Sequence, residues 1–258
     1  MVNLTIDGIK VSVAEGTTIM DAAASIGMNI PHLCYLRDIN EIAACRVCVV
    51  EGREKLTTAC NSVVEEGMVL RTNSPRVREA RRTTVELILS ELDCRCAVCV
   101  RCGSCQLQKV AGDLGIIGCQ YDEKPEKSKW NKDFPLIRDN AKCIKCMRCI
   151  QICEKVQTLG VWDVMNTGSR TAVNVKNGGD ILSSDCAICG QCITHCPVAA
   201  LRERDDTDAV REALADPEKI TVVQVAPAVR AAWGRAARVV PRRRDREAHG
   251  GDAQASGL

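Results

Sequence analysis

The chain has 258 residues, eighteen of them cysteine and only six aromatic, with a formal net charge of +2. A near-neutral, aromatic-poor chain offers neither the basic footprint nor the stacking platform that nucleic acid requires. It has no 18-residue apolar run for a membrane span and no basic-then-apolar leader, so the expected setting is cytoplasmic, where thiols stay reduced and clustered cysteines mean metal. Large aromatic side chains usually dominate core burial. Their scarcity points to several small modules rather than one large core, with cysteine chemistry holding each module.

The first module is expected over residues 1–75. Leu4, Ile6, Ile9, Val11 and Val13 alternate around Asp7-Gly8, a hairpin pattern. Thr17-Thr18 then precedes Ile19 to Ala23, a helix start with an N-cap residue. Val47 with Val49-Val50, and Leu56 to Ala59, read as further short strands. Within this frame lies Cys34-x10-Cys45-x2-Cys48-x11-Cys60. The plant-type 2Fe–2S spacing has the same central x2 pair and distant fourth ligand, with a shorter first gap. The expectation is a β-grasp 2Fe–2S ferredoxin module. Four buried structural thiols are the plainer reading, but four cysteines in 27 residues far exceed ordinary usage.

Residues 76–130 are expected to form a small helical module. Val77, Ala80, Val85, Ile88, Leu89 and Leu92 recur at helical intervals, which predicts a helix over 76–92. Five cysteines then fall in twelve residues: Cys94, Cys96, Cys99, Cys102 and Cys105. That is more thiolate than one cubane takes. A 4Fe–4S cluster is expected here, and spacing alone does not say which four of the five bind. Gly112, Gly115 and Gly118 form no strand-to-helix phosphate loop, so no nucleotide site is expected.

Residues 131–203 hold the most specific pattern. Cys143-x2-Cys146-x2-Cys149-x3-Cys153 is followed by Cys186-x2-Cys189-x2-Cys192-x3-Cys196-Pro197. This is the two-cluster ferredoxin run, in which the fourth cysteine of each run ligates the other cluster. Three thiolates two residues apart wrap one cubane face, and the fourth leaves along the following helix. The expected sets are Cys143, Cys146, Cys149 and Cys196 for one cluster, and Cys186, Cys189, Cys192 and Cys153 for the other. Structural zinc uses two ligand pairs across a longer spacer and fits poorly. Lys142, Lys145 and Arg148 interleave the first run, and positive charge there stabilises a reduced cluster and favours acidic partners. His195 and His32 read as bystanders to their neighbouring cysteines.

Beyond residue 203, Ile220 to Val225 is a continuous apolar run of the kind a fully buried strand shows. From 235 to 258 the apolar period disappears and six arginines accumulate, a pattern expected of a disordered, solvated tail. Arg242-Arg243-Arg244 could meet an anionic surface, but a solvated tail is the better reading.

The order of these modules resembles the N-terminal accessory-cluster half of multi-cluster iron-only (FeFe) hydrogenases of the NAD-linked type. It resembles more loosely the N-terminus of the complex I large iron–sulfur subunit and of some NAD-linked formate dehydrogenases. The resemblance is carried by Ala44 to Gly52 (ACRVCVVEG), by Cys105-Gln106-Leu107-Gln108 and by Cys189-Gly190-Gln191-Cys192. Residues 205–230, ending Ala226-Pro227-Ala228-Val229-Arg230, are similar to the linker and first strand of the hydrogenase catalytic domain.

The family binds its unusual cluster through one histidine and three cysteines. Cys96-x2-Cys99-x5-Cys105 matches the cysteines, while Leu92 stands at the histidine position. The resemblance therefore implies Cys94, Cys96, Cys99 and Cys105, with Cys102 and Cys119 spare; the rival set is Cys96, Cys99, Cys102 and Cys105. An all-thiolate set should lower the potential, since replacing thiolate with histidine raises it. In all, one 2Fe–2S and three 4Fe–4S clusters are expected in an α+β chain.

No cysteine follows Cys196, so no hydrogen-activating cluster can be held here and no catalytic residue is assigned. Residues 204–234 are read as the start of a truncated catalytic domain whose remainder is absent or encoded separately. The implied partners are flavin/NAD-binding and small 2Fe–2S subunits of a hydrogenase complex, or a ferredoxin.

Overall fold

A computed structural model describes residues 1–125 and 129–236. Met1–Arg204 form one compact unit, and the chain from Asp205 onward forms a second. The first unit mixes short helices with small sheets.

Strands β1 (Val2–Ile6) and β2 (Ile9–Val13) pair antiparallel, from Val2 opposite Val13 to Ile6 opposite Ile9. The two-residue turn requires left-handed backbone at both positions, and Asp7 (φ 47°) and Gly8 (φ 86°) supply it. The Asp7 carboxylate accepts hydrogen bonds from the Thr72 backbone N–H (2.7 Å) and hydroxyl, which ties the turn to a chain segment 65 residues away. Helix α1 (Ile19–Ser25) starts on Thr18, whose hydroxyl accepts from the Asp21 N–H. It buries Ile19, Met20, Ala22 and Ala23 against Leu4, Ile6 and Val11.

Strands β3 (Val49–Glu51) and β4 (Leu56–Thr58) form a separate antiparallel pair. Strand β5 (Val69–Leu70) returns parallel to β1, completing a sheet in the order β2-β1-β5. Val47, expected in a strand, lies just outside β3, whose pairing with β4 begins at Val49 opposite Thr58, and its carbonyl accepts from Arg81.

Helix α2 runs Pro75–Ser90, with Ser74 as N-cap and proline at the first helical position. It ends two residues before the expected Leu92. Arg81, buried on this helix, donates to the carbonyls of Val47 (3.1 Å) and Val49 (2.7 Å), joining α2 to β3. Helix α3 (Gln106–Asp113) follows the cysteine-rich loop.

Strand β6 (Leu136–Arg138) pairs antiparallel with β9 (Leu201–Glu203), bringing the start of one cysteine run beside the end of the other. Between the runs, β7 (Trp162–Met165) and β8 (Ala172–Val175) form a hairpin. Each run ends in a short helix, α4 (Arg148–Gln151), continued by a π-turn over Ile152–Val156, and α5 (Gln191–Thr194).

The second unit holds α6 (Thr207–Ala215) and α7 (Pro227–Ala236). The buried strand expected over 220–225 is not formed. No strand of the described residues pairs with this run, and without a ladder Ile220 is 94% and Val222 87% exposed. Residues 227–230 likewise form no strand. Pro227 opens α7, because its fixed φ and missing N–H suit a first helical turn. The expected tail over 235–258 begins inside α7, and the rest of it lies outside the described residues.

Candidate metal centres

In the first group, Cys48 and Cys60 pack in the core under β1 and β2, and Cys34 and Cys45 in the adjoining one. Cys34, Cys45, Cys48 and Cys60 are all buried. The thiols of Cys45 and Cys60 donate to Cys34 and hold it well below the usual thiol range, while the same bonds push Cys45 and Cys60 upward. Cys60 also draws Cys48 down to about 7. Four buried thiols gather here with few polar partners besides one another. That donor set fits a group carrying positive charge and bridging sulfides. Ala43 (φ 53°) and Arg46 (φ 56°) adopt left-handed backbone in the loop between Cys34 and Cys48, the strain expected where a chain is wrapped around something.

The crowded group, Cys94 to Cys105, lies on a loop between α2 and α3. Burial pushes the Cys96 thiol upward, and the charges of Cys105, Cys99 and Cys102 add to this. Cys94 is raised to about 11, chiefly by burial and then by Cys96 and the acidic groups Glu123 and Asp93, with Cys119 adding to it. The Cys94 and Cys119 thiols donate to the carbonyls of Leu89 (3.7 Å) and Glu86 (3.2 Å) respectively, one turn apart on α2.

The two long runs fold with the same local strain. Lys145 and Met147 in the first, and Ile188 and Gly190 in the second, take positive φ at matched positions, the second and fourth after the leading cysteine. These reversals turn three thiols toward one side. The fourth thiol then comes from the other run. Cys143, Cys146, Cys149 and Cys196 line one cavity. Cys153, Cys186, Cys189 and Cys192 line another, of about 270 Å³, walled by Trp162, Ile152 and Leu159. Burial pushes Cys146 and Cys192 up to about 12, and the neighbouring thiols of the same cavity add to this. Cys196 is also raised by burial, against which the N–H groups of Val198, Leu201 and Ala200 pull it back.

Arg138 tests the fit further. It is buried against Trp162 and lines the first cavity, and its Nη2 has no hydrogen-bond partner. A sulfide-bearing cluster would supply the acceptor that this donor lacks. Among the described residues no three Cys, His, Asp or Glu side chains are placed to hold a single metal ion. In the two cavities of the long runs, a polynuclear cluster would be held by four thiolates around a shared space rather than by three on one ion.

Spacing did not reveal the polar residues that join the groups. Asn40 Nδ2 donates to the carbonyls of Cys34 (2.7 Å) and Cys146 (2.9 Å). Arg148, buried, donates to the carbonyls of Cys34 (3.2 Å) and Tyr35 (3.0 Å). Gln106 N–H donates to the Pro197 carbonyl, and Asp93 N–H to that of Ala141. One apolar core accordingly packs Cys34, Cys45, Cys105, Cys143, Cys146 and Cys196 together. His195 contacts Gln191 and Thr194 on its own helix, and His32 the Ile30 carbonyl.

Three family models match in chain order. Residues 1–75 match a 2Fe–2S iron–sulfur cluster binding domain, 81–117 the NADH-ubiquinone oxidoreductase-G iron–sulfur binding region, and 142–200 a 4Fe–4S dicluster domain. The NADP-reducing hydrogenase subunit HndD of Solidesulfovibrio fructosivorans is 45% identical over 250 residues, covering 93% of this chain and 43% of that protein. Iron hydrogenase 1 of Clostridium pasteurianum is 32% identical, over 91% of this chain and 42% of that one. The chain thus spans less than half the length of these relatives. A solved NAD+-reducing [NiFe]-hydrogenase shares the fold, with a TM-score of 0.73 and 24% identity over 79% of this chain and 87% of that one. No described helix is long and apolar enough to cross a membrane. The chain carries a 2Fe–2S cluster binding domain, a complex I-type iron–sulfur binding region and a 4Fe–4S dicluster domain in its first 200 residues, and it is homologous to part of an NADP-reducing hydrogenase subunit and of an iron hydrogenase.

Proposed function

We propose that this chain relays single electrons between an NAD(H)/flavin subunit or a ferredoxin and a hydrogen-activating site lying outside these residues. One observation carries the reading: two interlaced cysteine runs sort their eight thiols into two separate cavities, each completed by the last cysteine of the other run. Such a pair would exchange electrons by outer-sphere transfer, in which no bond is made or broken. Three cluster modules would follow: a β-grasp 2Fe–2S domain over 1–75, a helical one-cluster module over 76–130 and a two-cluster ferredoxin module over 131–203, with 204–234 read as the start of a catalytic domain.

Cys34, Cys45, Cys48 and Cys60 would hold the 2Fe–2S centre. Cys143, Cys146, Cys149 and Cys196 would hold one 4Fe–4S cluster, and Cys186, Cys189, Cys192 and Cys153 the second. For the third, Cys94, Cys96, Cys99 and Cys105 remain the proposed set. The rival, in which Cys102 replaces Cys94, stays open, because Cys96 interacts with both thiols. The protein's own contribution is to present thiolates, donate N–H groups to their sulfurs and exclude water, which together set the potentials.

The match to a hydrogenase subunit extends over 250 residues, which favours this reading over a formate dehydrogenase subunit. The test is reconstitution of the full chain with iron and sulfide under anaerobic conditions, followed by assay with reduced methyl viologen. The clusters should reduce fully while hydrogen evolution stays at background. Hydrogen production by this chain alone would refute the assignment.

A further inference from the structure

The two cavities differ in charge. The one lined by Cys143, Cys146, Cys149 and Cys196 also has Arg138 and Arg148 in its wall, both almost fully buried. Among the described residues, the one lined by Cys153, Cys186, Cys189 and Cys192 has no basic residue in its wall, and its charged member is Glu203. The sequence around the runs repeats the contrast. Lys142, Lys145 and Arg148 interleave the first run, whereas Asp185, Ala187, Ile188, Gly190 and Gln191 flank the second.

The buried arginines are also fixed in place. Arg148 is anchored on the carbonyls of Cys34 and Tyr35. Arg138 is held by Asn174 Oδ1 (3.2 Å) and the Trp162 ring. Adding an electron to a cluster adds one negative charge, and a cation fixed nearby in a low-dielectric site favours that state.

We propose that Arg138 and Arg148 hold the cluster at Cys143, Cys146, Cys149 and Cys196 at a higher reduction potential than the cluster at Cys153, Cys186, Cys189 and Cys192. The first electron to enter the pair then rests on the arginine-lined side, next to the 2Fe–2S loop. This rests on the cluster reading above. Burial of the first cavity acts in the opposite sense, because it disfavours added charge, so the order of the two potentials reports which effect wins. The N–H groups of Val198, Ala200 and Leu201 facing the Cys196 sulfur act in the same direction as the arginines.

The experiment is an EPR-monitored redox titration of the reconstituted full chain. Cys146→Ser and Cys189→Ser identify which 4Fe–4S signal belongs to which cavity. The signal altered by Cys146→Ser should be reduced at the higher potential. Arg138→Gln and Arg148→Gln should each lower the reduced-to-oxidised ratio of that signal about tenfold at fixed ambient potential, a midpoint shift of about 59 mV for one electron. The Cys189-linked signal should move far less. Arg138→Lys and Arg148→Lys, which keep the charge, should restore most of the shift, and the 2Fe–2S absorption serves as the folding control for every variant. A reversed order, or arginine variants that leave the Cys146-linked midpoint in place, would overturn the proposal. Absence of any 4Fe–4S signal in the wild-type chain would overturn the cluster reading itself, and the proposal with it.

Discussion

At the scale of single residues, polar side chains join what the thiols surround. Asn40 gives both amide protons to carbonyls of cysteines from different groups, at 2.7 and 2.9 Å. Asn40→Leu leaves the Cys146 carbonyl without this donor and the Cys34 carbonyl to Arg148 alone, and is expected to destabilise the fold by about 2 kcal/mol, read as a lower denaturant midpoint. Arg81→Met strips the Val47 and Val49 carbonyls in the same way and should cost about 3 kcal/mol in the same assay, because the lost donor is charged. For the crowded loop, iron analysis of Cys94→Ser and Cys102→Ser separates the two ligand sets: loss of iron with Cys94→Ser alone is expected, and loss with Cys102→Ser alone would install the rival set. The thiols were legible in the sequence, because cluster geometry dictates their spacing. Asn40, Arg81 and Arg138 were not, since a polar residue in a loop or short element declares its role only when tertiary packing has buried it.

At the scale of elements, local chemistry decided what could be read. Thr18 and Ser74 cap α1 and α2 where an N-cap residue precedes an apolar period, and Ser74→Ala should lower stability by about 1 kcal/mol in thermal unfolding. The hairpin at Asp7-Gly8 was equally plain, because few residue pairs accept two positive φ values. The run over 220–225 misled, since an apolar run specifies a strand only when partners exist for its ladder. The matched reversals at Lys145, Met147, Ile188 and Gly190 carry no residue signature except the glycine, so the loop's winding had to come from the fold. Gly190→Val forces a β-branched residue to φ 70° and should cost about 1–2 kcal/mol together with part of the iron of that cavity.

At the scale of the whole molecule, short sheets and helices yield three small cores, and twelve cysteines belong to them. All eighteen precede residue 205, where the second unit begins. A chain ending at Arg204 is therefore expected to retain the full iron content per mole; a loss of a cluster on truncation would assign the second unit a role in assembly. The central claim is that four groups of thiols hold four clusters. Its most direct test is metal and sulfide analysis, with EPR and Mössbauer spectra, of the full chain prepared without oxygen. One 2Fe–2S and three 4Fe–4S clusters, about fourteen iron atoms per chain with an equal amount of acid-labile sulfide, are expected. A colourless protein carrying zinc and no labile sulfide would contradict it.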